Sequence, residues 1–196
     1  MLIKGTEDLR IQKTMTAIKQ SFEELICEKD YNQITVTELC ARSKINKKTF
    51  YHYYPTLDDL LLEMQGELSS AYIELVKDYK LPEEMEKVNR IFFEYSVAQG
   101  LAYEKITCST GSYSAARQAM IDRVTEATWK KSRSFSALSR LEQNLVLSFI
   151  NEVSVGSYRQ WVADGKTMPL EMIIARTNAL MCGGLRQFFK EAKHHG

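Results

Sequence analysis

Proline and glycine are scarce in this sequence, and neither sign of charge is in excess. Three prolines and nine glycines among 196 residues are too few for a fold built on many tight turns, so the composition favours helices over β-sandwiches. A net charge of +1 excludes a protein that binds polyanions with its whole surface. The 44% of hydrophobic residues is ordinary for a soluble globular protein.

Long hydrophobic runs are also missing. No apolar stretch approaches the roughly 20 residues of a membrane span, and the N-terminal segment MLIKGTEDLR lacks the apolar core of a signal peptide. The four cysteines are scattered without metal-ligand spacing and are predicted to be reduced core or pocket residues: Cys27, Cys40, Cys108 and Cys182. We therefore expect a cytoplasmic protein with no membrane partner.

Catalytic signatures are absent from the sequence. The three histidines are His52, His194 and His195, and they form no His-x-x-x-His pair. The sequence has no Gly-x-Ser-x-Gly motif, phosphate-binding glycine loop or dinucleotide fingerprint. We expect no enzyme, no catalytic residues, no metal and no cofactor. An acid–base pair assembled from distant carboxylates is the alternative that sequence leaves open.

Residues 35–60 carry the most informative pattern. Thr35 and Glu38 match the T-x-x-E capping box that begins many helices. Asn46 supplies a second cap, and Pro55 ends the helix that follows. Apolar pairs at staple spacing accompany both caps: Ile34 with Leu39, and Ile45 with Phe50. Two capped helices about three residues apart predict a helix-turn-helix, whose second helix normally reads DNA.

The second helix of this unit has two different faces. At about 100° per residue, one face offers ammonium, phenol and imidazole groups for phosphates or base edges: Lys47, Lys48, Tyr51 and His52. The other face offers mostly ring surface for packing: Thr49, Phe50, Tyr53 and Tyr54.

The charge around this helix is locally basic. Between Leu39 and Leu57 the sequence has no acidic residue and four basic residues: Arg42, Lys44, Lys47 and Lys48. A basic patch confined to one small unit is typical of a face that docks on nucleic acid. The alternative is an ordinary solvated face of a helical protein.

Residues of about 10–61 resemble the N-terminal domain of the TetR family of bacterial transcription regulators. The resemblance is carried by FEELICEKDYNQITVTEL and by SKINKKTFYHYYPTLDDLL, including the Thr49-Phe50-Tyr51 triplet, Tyr54 and Leu60. It implies an N-terminal DNA-binding domain over residues 1–56 and a helical ligand-binding and dimerisation domain over residues 57–196. It also implies double-stranded operator DNA as a partner.

Carried over residue by residue, the resemblance implies a set of DNA contacts. Lys47 and Lys48 fall at the start of the recognition helix, and Thr35 and Thr37 fall at the phosphate-facing start of the helix before it. The candidate DNA-binding residues are Thr35, Thr37, Lys44, Asn46, Lys47, Lys48, Thr49, Tyr51 and His52. Two positions depart from the family: Lys44 replaces a preferred turn glycine, and Leu57 replaces a lysine that contacts the DNA backbone. A left-handed backbone at Lys44 would cost about 1–2 kcal/mol.

Helical periodicity predicts an all-α fold of about nine helices. They cover residues 10–29, 35–43, 46–54, 57–80, 82–99, a short helix from 101, then 113–131, 139–164 and 169–190. Gly111 and Ser112 separate two of these helices, and the serine-rich residues 132–139 connect onward.

Two further sites follow from the resemblance. In the family, the middle helices enclose a small-molecule pocket, for which the candidates here are Phe92, Tyr95, Tyr103, Cys108, Tyr113, Met120 and Trp129. The last two helices of each family protomer form a four-helix bundle with those of the partner in a homodimer. The candidates for this interface are Phe149, Val153, Gly156, Trp161, Ile173, Thr177, Leu180 and Gly184. Ordinary core packing is the alternative for both sets.

These expectations define a cytoplasmic, homodimeric, TetR-like regulator. We expect a repressor that an unidentified small-molecule effector releases from a near-palindromic operator. The alternative is a TetR-like activator or coactivator that works through a protein partner.

Overall fold

The structure is a computed structural model of one chain, and it describes residues 4–109 and 113–192. These residues form helices and no strand, which confirms the predicted all-α class. The α-helices are α1 (Lys4–Glu28), α2 (Val36–Arg42), α3 (Lys47–Tyr53), α4 (Leu57–Val76), α5 (Met85–Ala98), α6 (Leu101–Cys108), α7 (Ser114–Thr128), α8 (Arg133–Ser136), α9 (Arg140–Ala163) and α10 (Leu170–Ala192), with 3-10 turns at Tyr31–Gln33 and Trp129–Lys131. The Gly111-Ser112 break and the His194 and His195 pair lie outside the described residues.

The caps of the helix-turn-helix explain where α2 and α3 begin. The Glu38 N–H donates to Thr35 Oγ1 at 3.2 Å, and the Thr49 N–H donates to Asn46 Oδ1 at 2.8 Å. The reciprocal half of the predicted box at Thr35 is not formed. The Glu38 carboxylate instead accepts from Lys29 Nζ at 2.7 Å, which ties α2 to the end of α1.

Complete capping boxes begin two longer helices. At α4, Thr56 and Asp59 each accept from the other's backbone N–H. At α9, Ser139 and Glu142 do the same. Gly165 follows α9 with φ of 71°, the left-handed conformation with which many helices end.

Several predicted helix boundaries differ in the structure, and α1 begins at Lys4 rather than at residue 10. α4 ends at Val76 and α5 begins at Met85, whereas continuous helix was predicted to residue 80 and again from residue 82. The intervening chain turns because Leu81 is buried in the same apolar cluster as Val76 and Met85. The serine-rich connector forms the additional helix α8.

Helix α8 forms because a buried ring holds it in place. The Phe135 N–H donates to Ser132 Oγ at 3.3 Å, which caps the turn. The Phe135 ring is buried, with its centroid 5.3 Å from that of Trp129. A short serine-rich segment therefore becomes helical through packing rather than through intrinsic propensity.

The apolar core falls into three clusters of buried residues. The first is formed by α1, α2, α3 and the start of α4, and it also takes in Ile106 from α6 and Tyr113 from just before α7. The second joins the end of α4 to α5, α8, α9 and α10. The third surrounds Tyr158, near the junction of α5, α9 and α10. We call α1–α3 the head.

Helix α4 connects the head to the remaining helices. Its 20 residues span about 30 Å at 1.5 Å per residue. Leu60, Leu61 and Met64 lie in the first cluster, whereas Val76 lies in the second. Along its length α4 packs against α7, to which Arg123 fastens it by donating to Gly66 O at 3.1 Å.

Candidate nucleic-acid interface and interior cavity

The turn between α2 and α3 takes a left-handed residue without using glycine. Lys44 has φ of 55°, and the Ile45 N–H donates to Cys40 O at 3.0 Å while the Lys44 N–H donates to Ala41 O at 3.4 Å. This pair of bonds is the Schellman arrangement that closes a helix end. The turn geometry is therefore kept at the position where the family prefers glycine.

Helix α3 is divided into an exposed and a buried face, as predicted. Lys47, Lys48 and His52 are exposed, and Tyr51 keeps 54% of its surface accessible. We call these four residues the α3 face. Phe50 is completely buried on the opposite side, so the helix is oriented by its ring. The DNA contacts themselves stay a prediction.

The other predicted contact residues lie beside this face. Thr35, Thr37 and Lys44 are exposed, whereas Thr49 is half-buried. Thr49 Oγ1 donates to Asn46 Oδ1 at 3.0 Å, so the Asn46 carbonyl oxygen is already engaged in capping. The Nδ2 group of Asn46 is the part that remains available for a phosphate.

A concave surface next to α3 includes residues that sequence reasoning did not select. It has a volume of about 830 Å³ and is lined by α1 and α3, including Arg10 and Thr14. Arg10 is exposed and adds a cation to the same side as Lys48. Arg10 could have been selected from the sequence, because it is a basic residue at the N-terminal end of the predicted first helix.

One predicted member of the basic patch is neutralised. Arg42 donates two hydrogen bonds to the Glu28 carboxylate, at 2.5 and 2.7 Å, and this pairing holds the pKa of Glu28 below its usual value. Within residues 4–109 and 113–192, no carboxylate forms an ion pair with Lys44, Lys47 or Lys48. Within the basic patch, the positive charge without a carboxylate partner therefore lies at the turn and the start of α3.

A polar brace fixes the C-terminal end of α3. The Tyr54 hydroxyl donates to Glu63 Oε1 at 2.9 Å, and Lys19 Nζ bridges Glu63 at 2.8 Å and Glu67 at 2.5 Å. Burial, followed by the bond to Glu63, raises the pKa of the Tyr54 phenol, so it stays a donor at neutral pH. The brace joins α1, α3 and α4.

A cavity of about 100 Å³ lies between α4, α5, α7 and α9. Five of the predicted pocket residues line it: Phe92, Tyr95, Tyr103, Met120 and Trp129. Two predicted residues do not. Cys108 packs against the third cluster, and the Tyr113 ring lies in the head core, 5.2 Å from the Tyr31 ring.

The cavity also has polar lining residues that no motif marks. They include Ser69 and Tyr72 from α4, Asn89 from α5, Thr125 and Thr128 from α7, and Asn151 and Ser154 from α9. Sequence reasoning missed them because each stands alone between apolar residues of a different helix. Burial raises the pKa of Tyr95 to about 12, because the ionised phenolate would lose its hydration there.

The predicted dimer residues separate into exposed and buried groups. Leu180 is 71% exposed, and Phe149 and Gly184 are exposed beside each other, since a Cβ on Gly184 would lie 3.6 Å from the Phe149 ring. Val153, Gly156 and Ile173 are half-buried. Trp161 and Thr177 are buried within the chain, so they do not belong to an exposed interface as predicted.

The two buried residues serve the interior of the chain itself. Trp161 Nε1 donates to Met168 O at 2.7 Å, closing the turn between α9 and α10. Sequence reasoning instead missed exposed apolar residues of the same two helices. Together with Phe149 and Leu180 they form the α9–α10 face: Leu141, Leu145 and Met172.

No helix in residues 4–109 and 113–192 is long and apolar enough to cross a membrane. The same part of the chain holds no group of three or more His, Cys, Asp or Glu residues that could bind a metal ion.

The fold and the α3 face define an all-helical protein with an N-terminal helix-turn-helix. Residues 23–64 match the family described as bacterial regulatory proteins, tetR family. The chain is also 34% identical over 58 residues to the uncharacterized HTH-type transcriptional regulator YxbF of Bacillus subtilis (strain 168), a stretch that spans 29% of this chain and 15% of that relative. These matches confirm the predicted resemblance of the N-terminal domain to the TetR family.

Solved structures share the fold beyond that domain. The TetR transcriptional regulator from Streptococcus agalactiae 2603V is 17% identical with a TM-score of 0.70, over 91% of this chain and 98% of that one. The regulator FadR from Bacillus subtilis, solved with stearoyl-CoA, is 16% identical with a TM-score of 0.65, over 86% of this chain and 98% of that one. At these identities the likeness concerns the fold.

Proposed function

We propose that this protein is a homodimeric repressor that binds a near-palindromic DNA operator and leaves it when a small molecule enters the cavity. The observation that carries the proposal is the α3 face, where Lys47 and Lys48 are exposed, unpaired with carboxylates and held on a capped helix. Residues 1–56 would bind DNA, and residues 57–196 would bind the ligand and dimerise.

The chemistry of the α3 face suits the major groove. Ammonium groups pair with phosphates and with guanine edges, and the Tyr51 phenol and His52 imidazole can donate to phosphate oxygens. Lys44 lies in the adjoining turn and would add a phosphate contact. Because Leu57 packs on the head core, it supports the start of α4 where the family uses a DNA-contacting lysine.

A second copy of the chain is the partner we assign to the α9–α10 face. Its exposed leucines recur at four-residue spacing on α9, as Leu141 and Leu145, and Phe149 continues the row. An exposed apolar row on two packed helices is the usual mark of a protein interface. A two-fold axis here would present two α3 helices to the two half-sites of an operator.

The cavity has a physical route to the head. Tyr103 lines the cavity, and Ile106, one turn later on α6, lies in the head core. Helix α7 lines the cavity through Met120 and follows Tyr113, which also lies in the head core. A ligand that displaced either helix would change the support of the head and so the separation of the two α3 helices. FadR, of similar fold, was solved with stearoyl-CoA, which supports ligand binding as a use of this fold.

The decisive experiment compares two adjacent lysine pairs. Lys47→Ala/Lys48→Ala should reduce affinity for DNA from the protein's own promoter region by at least about 30-fold, because each lysine contributes about 1–3 kcal/mol where it contacts a base. Lys130→Ala/Lys131→Ala, an exposed pair of equal charge outside the head, should leave affinity unchanged. Equal affinity of the two double variants would refute the α3 assignment.

Salt and transcription complete the test. Affinity of the wild-type protein should fall steeply as salt rises, since phosphate contacts release counterions. Deleting the gene should raise transcription from that promoter if the protein is a repressor. A fall in transcription would favour the activator alternative while leaving DNA binding intact.

A further inference from the structure

Most polar groups around the cavity are already engaged with other groups of the protein. The Tyr95 hydroxyl donates to Leu68 O at 2.8 Å. Asn89 Nδ2 donates to Asn178 Oδ1 at 2.8 Å, and Asn89 Oδ1 accepts from Ser154 Oγ at 2.9 Å. Thr128 Oγ1 donates to Val124 O at 2.8 Å. These groups complete the wall and have little left to offer a ligand.

Asn151 differs from these residues. It lines the cavity from α9 and is half-buried, and no residue in the described part of the chain hydrogen-bonds to its side chain. The side-chain amide of this residue therefore keeps its two donors and its acceptor free for a ligand in the cavity. Its carbonyl and amino groups lie side by side, so they match a ligand group that both donates and accepts. The Thr125 hydroxyl, on the facing helix α7, also has no partner among the described residues.

The cavity offers nothing to balance an ionic charge. Its described lining consists of apolar, aromatic, hydroxyl and amide side chains and contains no Asp, Glu, Lys, Arg or His. A carboxylate or ammonium placed there would lose its hydration without gaining a counterion. Aromatic rings form much of the wall, with the Tyr72 and Tyr95 centroids 5.5 Å apart. Flat apolar groups can pack against such rings.

We propose that the ligand of this cavity is a neutral, compact, ring-sized molecule whose amide-like group pairs with Asn151. The inference deepens the proposed function by naming the class of effector, and it rests on that function for its regulatory meaning. A cavity of about 150 Å³ holds a benzene ring, and this one measures about 100 Å³, so it has to widen to hold such a ring. Met85 and Met120 line it and can move aside, because methionine side chains are flexible.

Three small molecules of nearly equal shape test the charge requirement. Benzamide is neutral, benzoate is an anion and benzamidine is a cation at neutral pH. Benzamide should bind the wild-type protein at least about tenfold more tightly than either ion, because only the ions lose hydration without a counterion. Titration calorimetry measures the affinities, and methyl resonances of Met85 and Met120 report whether binding occurs in the cavity.

Variants of Asn151 test the assigned partner. Asn151→Ala should weaken benzamide binding by about tenfold, since the ligand amide loses its paired bonds. Asn151→Asp should reverse the preference, so that benzamidine binds more tightly than benzamide. Asn144→Ala, an exposed asparagine on the same helix, should leave all three affinities unchanged. Thermal unfolding of each variant verifies that the cavity is still folded.

The proposal is overturned if benzoate or benzamidine binds the wild-type protein as tightly as benzamide. It is equally overturned if benzamide fails to bind up to its solubility limit, or if Asn151→Asp leaves the order of affinities unchanged. DNA binding by the same preparations separates the two hypotheses. Promoter binding without benzamide binding refutes the ligand class alone, whereas benzamide binding without promoter binding refutes the proposed function alone.

Discussion

Two exposed surfaces of this protein have opposite chemistry. On the α3 face, Lys47, Lys48 and His52 point to solvent, and the ring of Phe50 is turned completely inward. On the α9–α10 face, large apolar side chains point to solvent, and Leu141 keeps 79% of its surface accessible.

The difference indicates what kind of partner each surface suits. Cations on a small, well-supported helix gain most from a polyanion, and that attraction weakens as salt rises. Exposed apolar side chains gain most from another apolar surface, and salt does not weaken that association. The following predictions test this contrast in order of decreasing effect.

The largest effect is expected from removing a buried ring of α3, compared with removing an exposed ring of the same helix. Phe50→Ala should lower the free energy of unfolding by about 3–5 kcal/mol, because it removes a fully buried ring from the head core. Tyr51→Ala should change it by no more than about 0.5 kcal/mol, because Tyr51 is largely exposed. Denaturant unfolding measures both, and similar losses would show that α3 is not oriented as described.

A carboxylate placed on the α9–α10 face should weaken self-association of the chain. Leu145→Glu should weaken self-association by at least about 100-fold, because the dimer would bury two unpaired carboxylates. Sedimentation equilibrium measures the change. Leu101→Glu serves as the control, since Leu101 is similarly exposed but lies on α6. A wild-type protein that is monomeric, or a dimer that high salt dissociates, would contradict the assignment.

The polar brace under α3 should contribute less than its ring packing. Tyr54→Phe removes the hydroxyl that donates to Glu63 and should cost about 0.5–1.5 kcal/mol of unfolding free energy. Tyr53→Phe, the same change at the half-buried neighbouring residue, should have almost no effect. If the two variants lose equal stability, the brace does not stabilise the head.

The smallest effect is expected at Lys44, where two variants distinguish the contribution of the turn's backbone from that of its charge. Lys44→Ala keeps the left-handed strain and removes a cation, whereas Lys44→Gly removes both. Both variants should reduce the salt dependence of DNA binding by about one unit of slope, as for the loss of one phosphate contact. Lys44→Gly should be more stable than Lys44→Ala by about 1 kcal/mol. Different slopes would mean that the turn itself alters docking.

Local patterns allowed the head to be predicted from the sequence. The caps at Thr35 and Asn46 and the two faces of α3 each depend on residues within a few positions of one another, so helical periodicity was sufficient. Arg42 was misjudged because its partner Glu28 lies on another helix. Pairing between helices depends on how they pack, and periodicity contains no information about that.

The cavity and the exposed α9–α10 face could be predicted only in part. The cavity draws on residues from Leu68 on α4 to Val155 on α9, so its lining depends on the packing of helices far apart in the chain. Of the residues that aromatic content selected, Tyr95 and Trp129 line the cavity, whereas Tyr113 packs in the head. Trp161 was assigned to an interface because periodicity gives the face of a helix but not which face meets solvent.

The position of Tyr113 has a consequence for building chimeric regulators. Its buried ring completes the core of the head although it lies more than fifty residues beyond it in the chain, and Ile106 does the same from α6. A head grafted onto the body of another protein of this fold would lose both side chains and expose an apolar hollow. Successful exchange of specificity should therefore require the graft to include matching residues before α7, or be limited to substitutions on the α3 face.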